Sequence, residues 1–169
     1  MGAQVEPVRI EGRVLEELYL RHATEAVRLA YLLTGDRALA EDLVQDAFVR
    51  VTGRLLHLRD PGAFPGYLRR CVVNLARSHG RRKRVERRFL ERTASARPVG
   101  VSDPDAAERE AMRVALLQIP IRNRTAIVLR YYEDLSEEQI AEALRCRRGT
   151  VKSLISRGIE RLRPLIAEG

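Results

Sequence analysis
Asn74 and the basic residues around it have the types and spacing closest to a chemical task, and that task is binding rather than bond making. Between Arg69 and Arg92 stand ten Lys or Arg residues against Glu86 and Glu91, a net of +8 that equals the formal charge of the whole chain. Cations at this density neutralise successive phosphates and release their counterions. Tyr67 supplies an aromatic face and Asn74 an amide, the groups that hold unstacked bases beside such a backbone. Arg70, Arg77, Arg81, Arg82 and Arg84 are the candidate phosphate contacts. A solvated charge run is the plainer alternative. A second basic stretch runs from Arg145 to Arg163, with seven Lys or Arg against Glu160 alone, a net of +6. A third cluster has the opposite sign: Glu41, Asp42, Gln45 and Asp46 share one helical face, and by spacing alone a solvated surface is the simpler reading of it.

Other chemistries find no support. His22, His57 and His79 share no ligand spacing, so no metal site is expected. Cys71 and Cys146 lie far apart among apolar neighbours with no CxxC, and read as reduced core residues. There is no glycine-rich nucleotide loop and no Walker lysine motif, so neither a cofactor nor an enzymatic activity is expected. The chain has 169 residues, a net charge of +8 and a pI of about 10.3, which favours a polyanionic partner. No apolar run approaches a membrane span, and the N-terminus lacks a signal-type core, so a cytoplasmic location is expected.

The elements that must position these residues are helical. Tryptophan is absent, aromatic content is 5%, and runs such as AVRLAYLL and AEDLVQDAFVRV carry helical period, so the class is all-α. Residues 1–12 read as a loose tail. One long helix is expected from Arg13 to Leu33, stopped by Gly35, and Asp36 caps the next, which Gly53 is expected to end. Asp60-Pro61 is a cap followed by proline at the first helical position, and the apolar stripe Phe64, Leu68, Cys71, Val72, Leu75 and Ala76 follows. Asp103-Pro104 opens a helix reaching Gln118 through Ala107, Ala111, Val114 and Ala115. Pro120 breaks it, and Ile127, Val128 and Tyr131 then face the core. Thr93 to Asp103, interrupted by Pro98 and Gly100, reads as a flexible linker. The expected organisation is two small helical domains, residues 13–92 and 104–169, joined by the linker 93–103.

The second domain contains LSEEQIAEALRCRRGTVKSLISRGIERLRPLI. Ser136 with Gln139 is a capping box, and Val151, Leu154, Ile155, Gly158 and Leu162 line one face of a helix opening at Gly149-Thr150. Two short helices joined by a tight turn make a helix-turn-helix. Its basic groups fall on the turn and the outer face, so duplex DNA is the expected ligand. Arg147, Arg148, Thr150, Lys152, Ser153, Ser156 and Arg157 are the candidate contacts. The turn needs positive φ at Arg145, where glycine would be usual, at a cost of roughly 1 kcal/mol.

In this order the segments resemble the small extracytoplasmic-function family of bacterial RNA polymerase sigma factors, over nearly everything from Leu18 to Ile166. LTGDRALAEDLVQDAFVRV resembles the polymerase-binding part of the first sigma domain, and YLRRCVVNLARSHGRRKR the part that engages the −10 element. IPIRNRTAIVLRYYEDLSEEQIAEAL with RRGTVKSLISRGIERLR resembles the domain that reads the −35 element. The resemblance implies that Asp42, Gln45 and Asp46 dock on a helical hairpin of the polymerase's largest subunit. It implies that Asn74 helps pocket a base flipped from the non-template strand. It also implies core polymerase and promoter DNA, duplex and single-stranded, as partners, with an anti-sigma protein as a further one. The chain departs from the family with Tyr67 where Trp is common, Arg145 where Gly is common and Leu154 where Arg is common. On the residues alone two rivals stand: a separate helix-turn-helix regulator, and an RNA-binding or anti-termination protein.

Overall fold
The computed structural model describes residues 12–55, 61–89 and 104–167, with side chains at 14–53, 62–83 and 107–167. Seven α-helices and a single 3-10 turn make up the described residues: α1 (Gly12–Thr34), α2 (Arg37–Leu55), the turn Pro61–Ala63, α3 (Phe64–Phe89), α4 (Pro104–Gln118), α5 (Ile121–Tyr131), α6 (Glu137–Leu144) and α7 (Arg148–Ala167). The tail up to Glu11, the stretch 56–60 and the linker expected at 93–103 lie outside the described residues.

Helices α1, α2 and α3 pack on one another, and α4 to α7 form a second group around α5 and α7. The turn from α1 to α2 follows from its residues. Gly35 takes φ +73°, open to glycine without a Cβ penalty, and its N–H closes on the Tyr31 carbonyl. The Asp36 carboxylate then accepts the Leu39 N–H at 3.1 Å, satisfying a donor at the start of α2. Leu29 and Leu33 of α1, Val44 and Phe48 of α2, and Phe64, Leu68, Val72 and Val73 of α3 fill the first core. Phe48 and Phe64 lie 5.6 Å apart, tilted, and each buried ring of this size contributes about 1.5–3 kcal/mol.

In the second group, Ile140 and Leu144 of α6 and Val151 and Leu162 of α7 meet the buried run Asn123 to Leu129 of α5. Gly158 sits where α7 crosses α5: a Cβ there would fall 2.6 Å from Cδ1 of Ile127. The Asn123 amide also donates to the Leu154 carbonyl at 2.9 Å, tying the same two helices.

Several expectations change in detail. Helix α2 runs past Gly53 to Leu55, because Gly53 does not take the positive φ of a left-handed cap, which among the described glycines only Gly35 adopts. Pro61 opens a 3-10 turn, and α3 begins three residues later. In α4 the buried face holds Arg113, Ala115 and Leu116, while Ala107 and Ala111 are exposed. Tyr131 is 66% exposed, since the buried face of α5 ends at Leu129.

The two groups also touch each other, α1 against α4 and α5, and α3 against α5 and α6. Arginines make many of these contacts. Arg113 lies over the Tyr31 ring, pairs with Glu110 and donates to the Gly35 carbonyl at 3.5 Å. Arg124 is buried and donates to the carbonyls of Leu33 (2.6 Å), Leu117 (3.4 Å) and Ile119 (3.3 Å), at the C-terminal ends of α1 and α4. A cation suits those negative helix ends. Burial nonetheless pushes its pKa down to about 10, and its Nε finds no hydrogen-bond partner among the described residues.

Candidate nucleic-acid interface
The helix-turn-helix is built by local rules. Ser136 Oγ accepts the Gln139 N–H at 3.2 Å while the Gln139 amide oxygen accepts the Ser136 N–H at 2.8 Å, closing the capping box that opens α6. At the other end Arg145 adopts φ 50°, as the turn requires, and the Cys146 N–H reaches back to Ala141 O at 2.9 Å. That pair of features is the left-handed helix cap usually given to glycine. Asp134 also takes φ 50°, which the sequence reading did not anticipate.

Helix α7 starts at Arg148, one residue before the expected Gly149-Thr150. Val151 is buried against α6, so its neighbours in the first turns face outward. Arg147, Arg148, Lys152, Ser153, Ser156 and Arg157 are exposed and Thr150 is half-buried. Arg148 is already engaged: its Nε donates to Glu137 Oε2 at 2.8 Å and its Nη1 meets Glu138 Oε1 at 2.7 Å. Lys152 stands 3.9 Å from the same Glu137 carboxylate. The Arg148 guanidinium, foremost, holds the Glu137 carboxyl below its usual range. Glu137 and Glu138 were not singled out from the sequence, although acids in a helix's first turn are a readable signal.

On α3, Arg70, Asn74 and Arg77 follow at steps of four and three and so share one face, which lies against α6. Tyr67 is exposed with Arg70 over its ring at 5.5 Å, while Arg70 and Asn74 are partly buried. Arg77 is also partly buried: burial, and then the nearby Arg122 and Arg81, lower its pKa. Arg81 and Arg82 are exposed, and the side chain of Arg84 lies outside the described residues. Acids and a carbonyl from the second group already meet several of these arginines: Glu133 meets Arg69, Glu142 meets Arg70, and the Leu144 carbonyl meets Arg77. No local pattern signals those partners, because each pairing spans more than sixty residues.

On α2, Asp42, Gln45 and Asp46 are all exposed. Val49 extends the same face by one step and is 72% exposed, an apolar residue that the sequence reading passed over. Its signal was available in the spacing 42, 45, 46, 49. Among the described residues no group of three or more His, Cys, Asp or Glu could hold a metal ion, and neither Cys71 nor Cys146 is in a disulfide.

Comparison with known proteins adds to this geometry. Residues 18–86 match the family description Sigma-70 region 2, and residues 109–162 match Sigma-70, region 4. The ECF RNA polymerase sigma factor SigE of Mycolicibacterium smegmatis is 35% identical over 159 residues, covering 90% of this chain and 62% of that protein. The RNA polymerase sigma-E factor of Streptomyces avermitilis is 36% identical over 158 residues, covering 90% of this chain and 86% of that one. The chain thus spans less than two thirds of the first relative's length and most of the second's. In fold it is similar to the sigma factor RpoE of Bartonella quintana, solved in complex with the anti-sigma factor NepR. The TM-score is 0.71 at 23% identity, over 90% of this chain and 96% of that one.

Proposed function
Because this chain belongs to the extracytoplasmic-function sigma factors, the promoter-specificity subunits of bacterial RNA polymerase, we propose that it binds core polymerase through α2, reads the −35 element with α7 and holds the melted −10 strand on α3. The observation that carries this reading is the pairing, in one chain, of an exposed acidic face on α2 with an exposed polar flank of α7. Residues 13–92 form the first functional unit and residues 104–169 the second.

Asp42, Gln45 and Asp46, with Val49 beside them, dock on the helical hairpin of the largest polymerase subunit. Arg147, Arg148, Thr150, Lys152, Ser153, Ser156 and Arg157 enter or flank the major groove of the upstream duplex. Tyr67, Arg70, Asn74, Arg77, Arg81, Arg82 and Arg84 take the separated strand. The chain itself makes and breaks no covalent bond; the polymerase does that chemistry. An anti-sigma protein is a further proposed partner. Among the described residues no helix is long and apolar enough to cross a membrane, which agrees with a cytoplasmic protein that joins the nucleoid on polymerase. Transcription in vitro from a promoter library, with core polymerase and with or without this chain, tests the reading. Promoter-directed transcripts only in its presence are expected. DNA or RNA binding with no polymerase partner would favour the rival regulators instead.

Two further outcomes are expected. Asn74→Ala reduces promoter opening about five- to tenfold, the worth of one hydrogen bond, while closed-complex binding is kept. Permanganate footprinting of the melted region reads this, and normal melting would make Asn74 a structural residue.

Arg148→Ala weakens binding to a duplex selected by the chain more than to scrambled duplex, by roughly 1–3 kcal/mol of discrimination. The exposed pairs with Glu137 and Glu138 give way to a base edge at small cost, since surface ion pairs contribute little. Lys152→Ala weakens both duplexes alike and flattens the salt dependence by about one unit of slope. Equal losses for both duplexes on Arg148→Ala would move Arg148 to the phosphate contacts.

A further inference from the structure
We propose that Arg145, in the turn of the helix-turn-helix, is a phosphate contact of the upstream duplex, and that a strained backbone is kept there for that side chain. The proposal rests on the reading of α7 as the helix that enters the duplex, and adds a residue to that site.

Arg145 closes α6 at φ 50° and ψ 55°, the left-handed region that a Cβ disfavours. The turn fixes this conformation. The Arg145 N–H goes back to Glu142 O at 3.2 Å and the Cys146 N–H to Ala141 O at 2.9 Å, while Leu144 just before them is buried. Glycine takes such a cap without strain, as Gly35 does at the end of α1 with φ 73°. Asp134, at φ 50°, has the short polar side chain that this region tolerates. Arg145 has neither property, so its presence needs a reason outside the backbone.

The fold does not supply one. Arg145 is exposed and fills no core. Among the described residues its guanidinium meets no acid, whereas Arg148, three residues on, is held by Glu137 and Glu138. From Arg145 to Ile159 the chain carries five Lys or Arg and no acid. Three residues of backbone span at most about 11 Å, which keeps Arg145 beside the first turn of α7. A helix that enters the major groove has phosphates at the groove's rim on either side of it. A guanidinium matches them, because its planar fork can pair with two phosphate oxygens at once. Residues held in sparsely populated backbone conformations also cluster where ligands bind.

The test uses holoenzyme assembled from the full chain and core polymerase, with affinity measured across a salt series. The probes are a promoter duplex selected by that holoenzyme and the same duplex with its upstream element scrambled. Arg145→Asn removes the charge with a residue that tolerates the left-handed region. Arg145→Gly removes both charge and strain, and Arg145→Lys keeps the charge. The Asn and Gly variants should lower the slope of log affinity against log salt by about 0.9. Both duplexes should show the change alike, because a phosphate contact carries no sequence information. Raising the salt from about 50 to 200 mM then costs these variants about 3.5-fold less affinity than it costs the parent. Arg145→Lys should retain the parent slope. Arg145→Gly should also raise Tm by about 2–4 °C, so that stability rises where DNA affinity falls. An unchanged slope in the Asn and Gly variants, with Lys152→Ala lowering it, would overturn the proposal. If Lys152→Ala leaves the slope unchanged as well, the reading of α7 fails and Arg145 loses its role with it.

Discussion
Reversing Asp42 and Asp46 together, to arginine, abolishes capture of core RNA polymerase while circular dichroism stays unchanged. Both side chains are exposed on α2, and among the described residues the one ion pair of either is a 3.9 Å approach of Arg50 to Asp46, so the fold loses almost nothing. The proposed partner surface loses a great deal. Two carboxylates become two guanidiniums, and like charges forced together across an interface cost several kcal/mol, enough for a drop of a hundredfold or more. Co-purification with core polymerase reads the result. Undiminished recovery of the double variant would place the docking surface elsewhere, and Val49→Asp would then be uninformative as well.

The second large effect is on stability. Arg124→Ala lowers unfolding free energy by about 3 kcal/mol, because the acceptors at Leu33, Leu117 and Ile119 lose a charged donor and a cavity opens beneath them. For a chain of this size that is a fall of roughly 6–12 °C in Tm. Burial penalises the charged form of Arg124, so that penalty is present in full below a pH of about 10 and is relieved only as pH rises above it. The guanidinium is therefore charged in the folded and unfolded chain alike at neutral pH, and the loss should not vary there. Arg124→Met, which fills the space without the charge, should lose less. An unchanged Tm for Arg124→Ala would mean that water satisfies the carbonyls and that the clasp is dispensable.

What was legible in the sequence was what neighbours along the chain decide. Ser136 with Gln139, Asp36 before α2, Gly35 after α1 and the left-handed Arg145 each follow from short-range hydrogen-bond needs, and each is realised. The helical period likewise found Phe64, Leu68, Val72 and Ala76 in the core. Arg113 and Arg124 were not legible as buried residues. Their burial depends on α1 and the α1–α2 turn arriving from 91 and 78 residues away, and a local pattern of charge reads them as solvent-facing. Tyr131 failed in the opposite direction, an aromatic at helical spacing left outside because α5 runs out of neighbours before reaching it. On the candidate site, the residues themselves could be named from type and spacing. Their present partners could not, since Glu133 and Glu142 reach α3 only through the packing of the two helical groups.

The separation along the chain between Arg69 and Glu133, 64 residues, also has a meaning in time. Ribosomes make protein from the N-terminus at about 5–20 residues per second, so the basic helix precedes its acidic cover by roughly 3–13 s. Helices α1 to α3 already hold a core of their own, with Phe48, Phe64 and Val72 all supplied before α4 exists. The nascent protein therefore passes through an interval in which the proposed strand-binding face of α3 is complete and not yet met by Glu133 and Glu142. During that interval nucleic acid near the ribosome, or an arriving polymerase, meets α3 before Glu133 and Glu142 do, and the order of synthesis gives the first claim on those arginines to an outside partner.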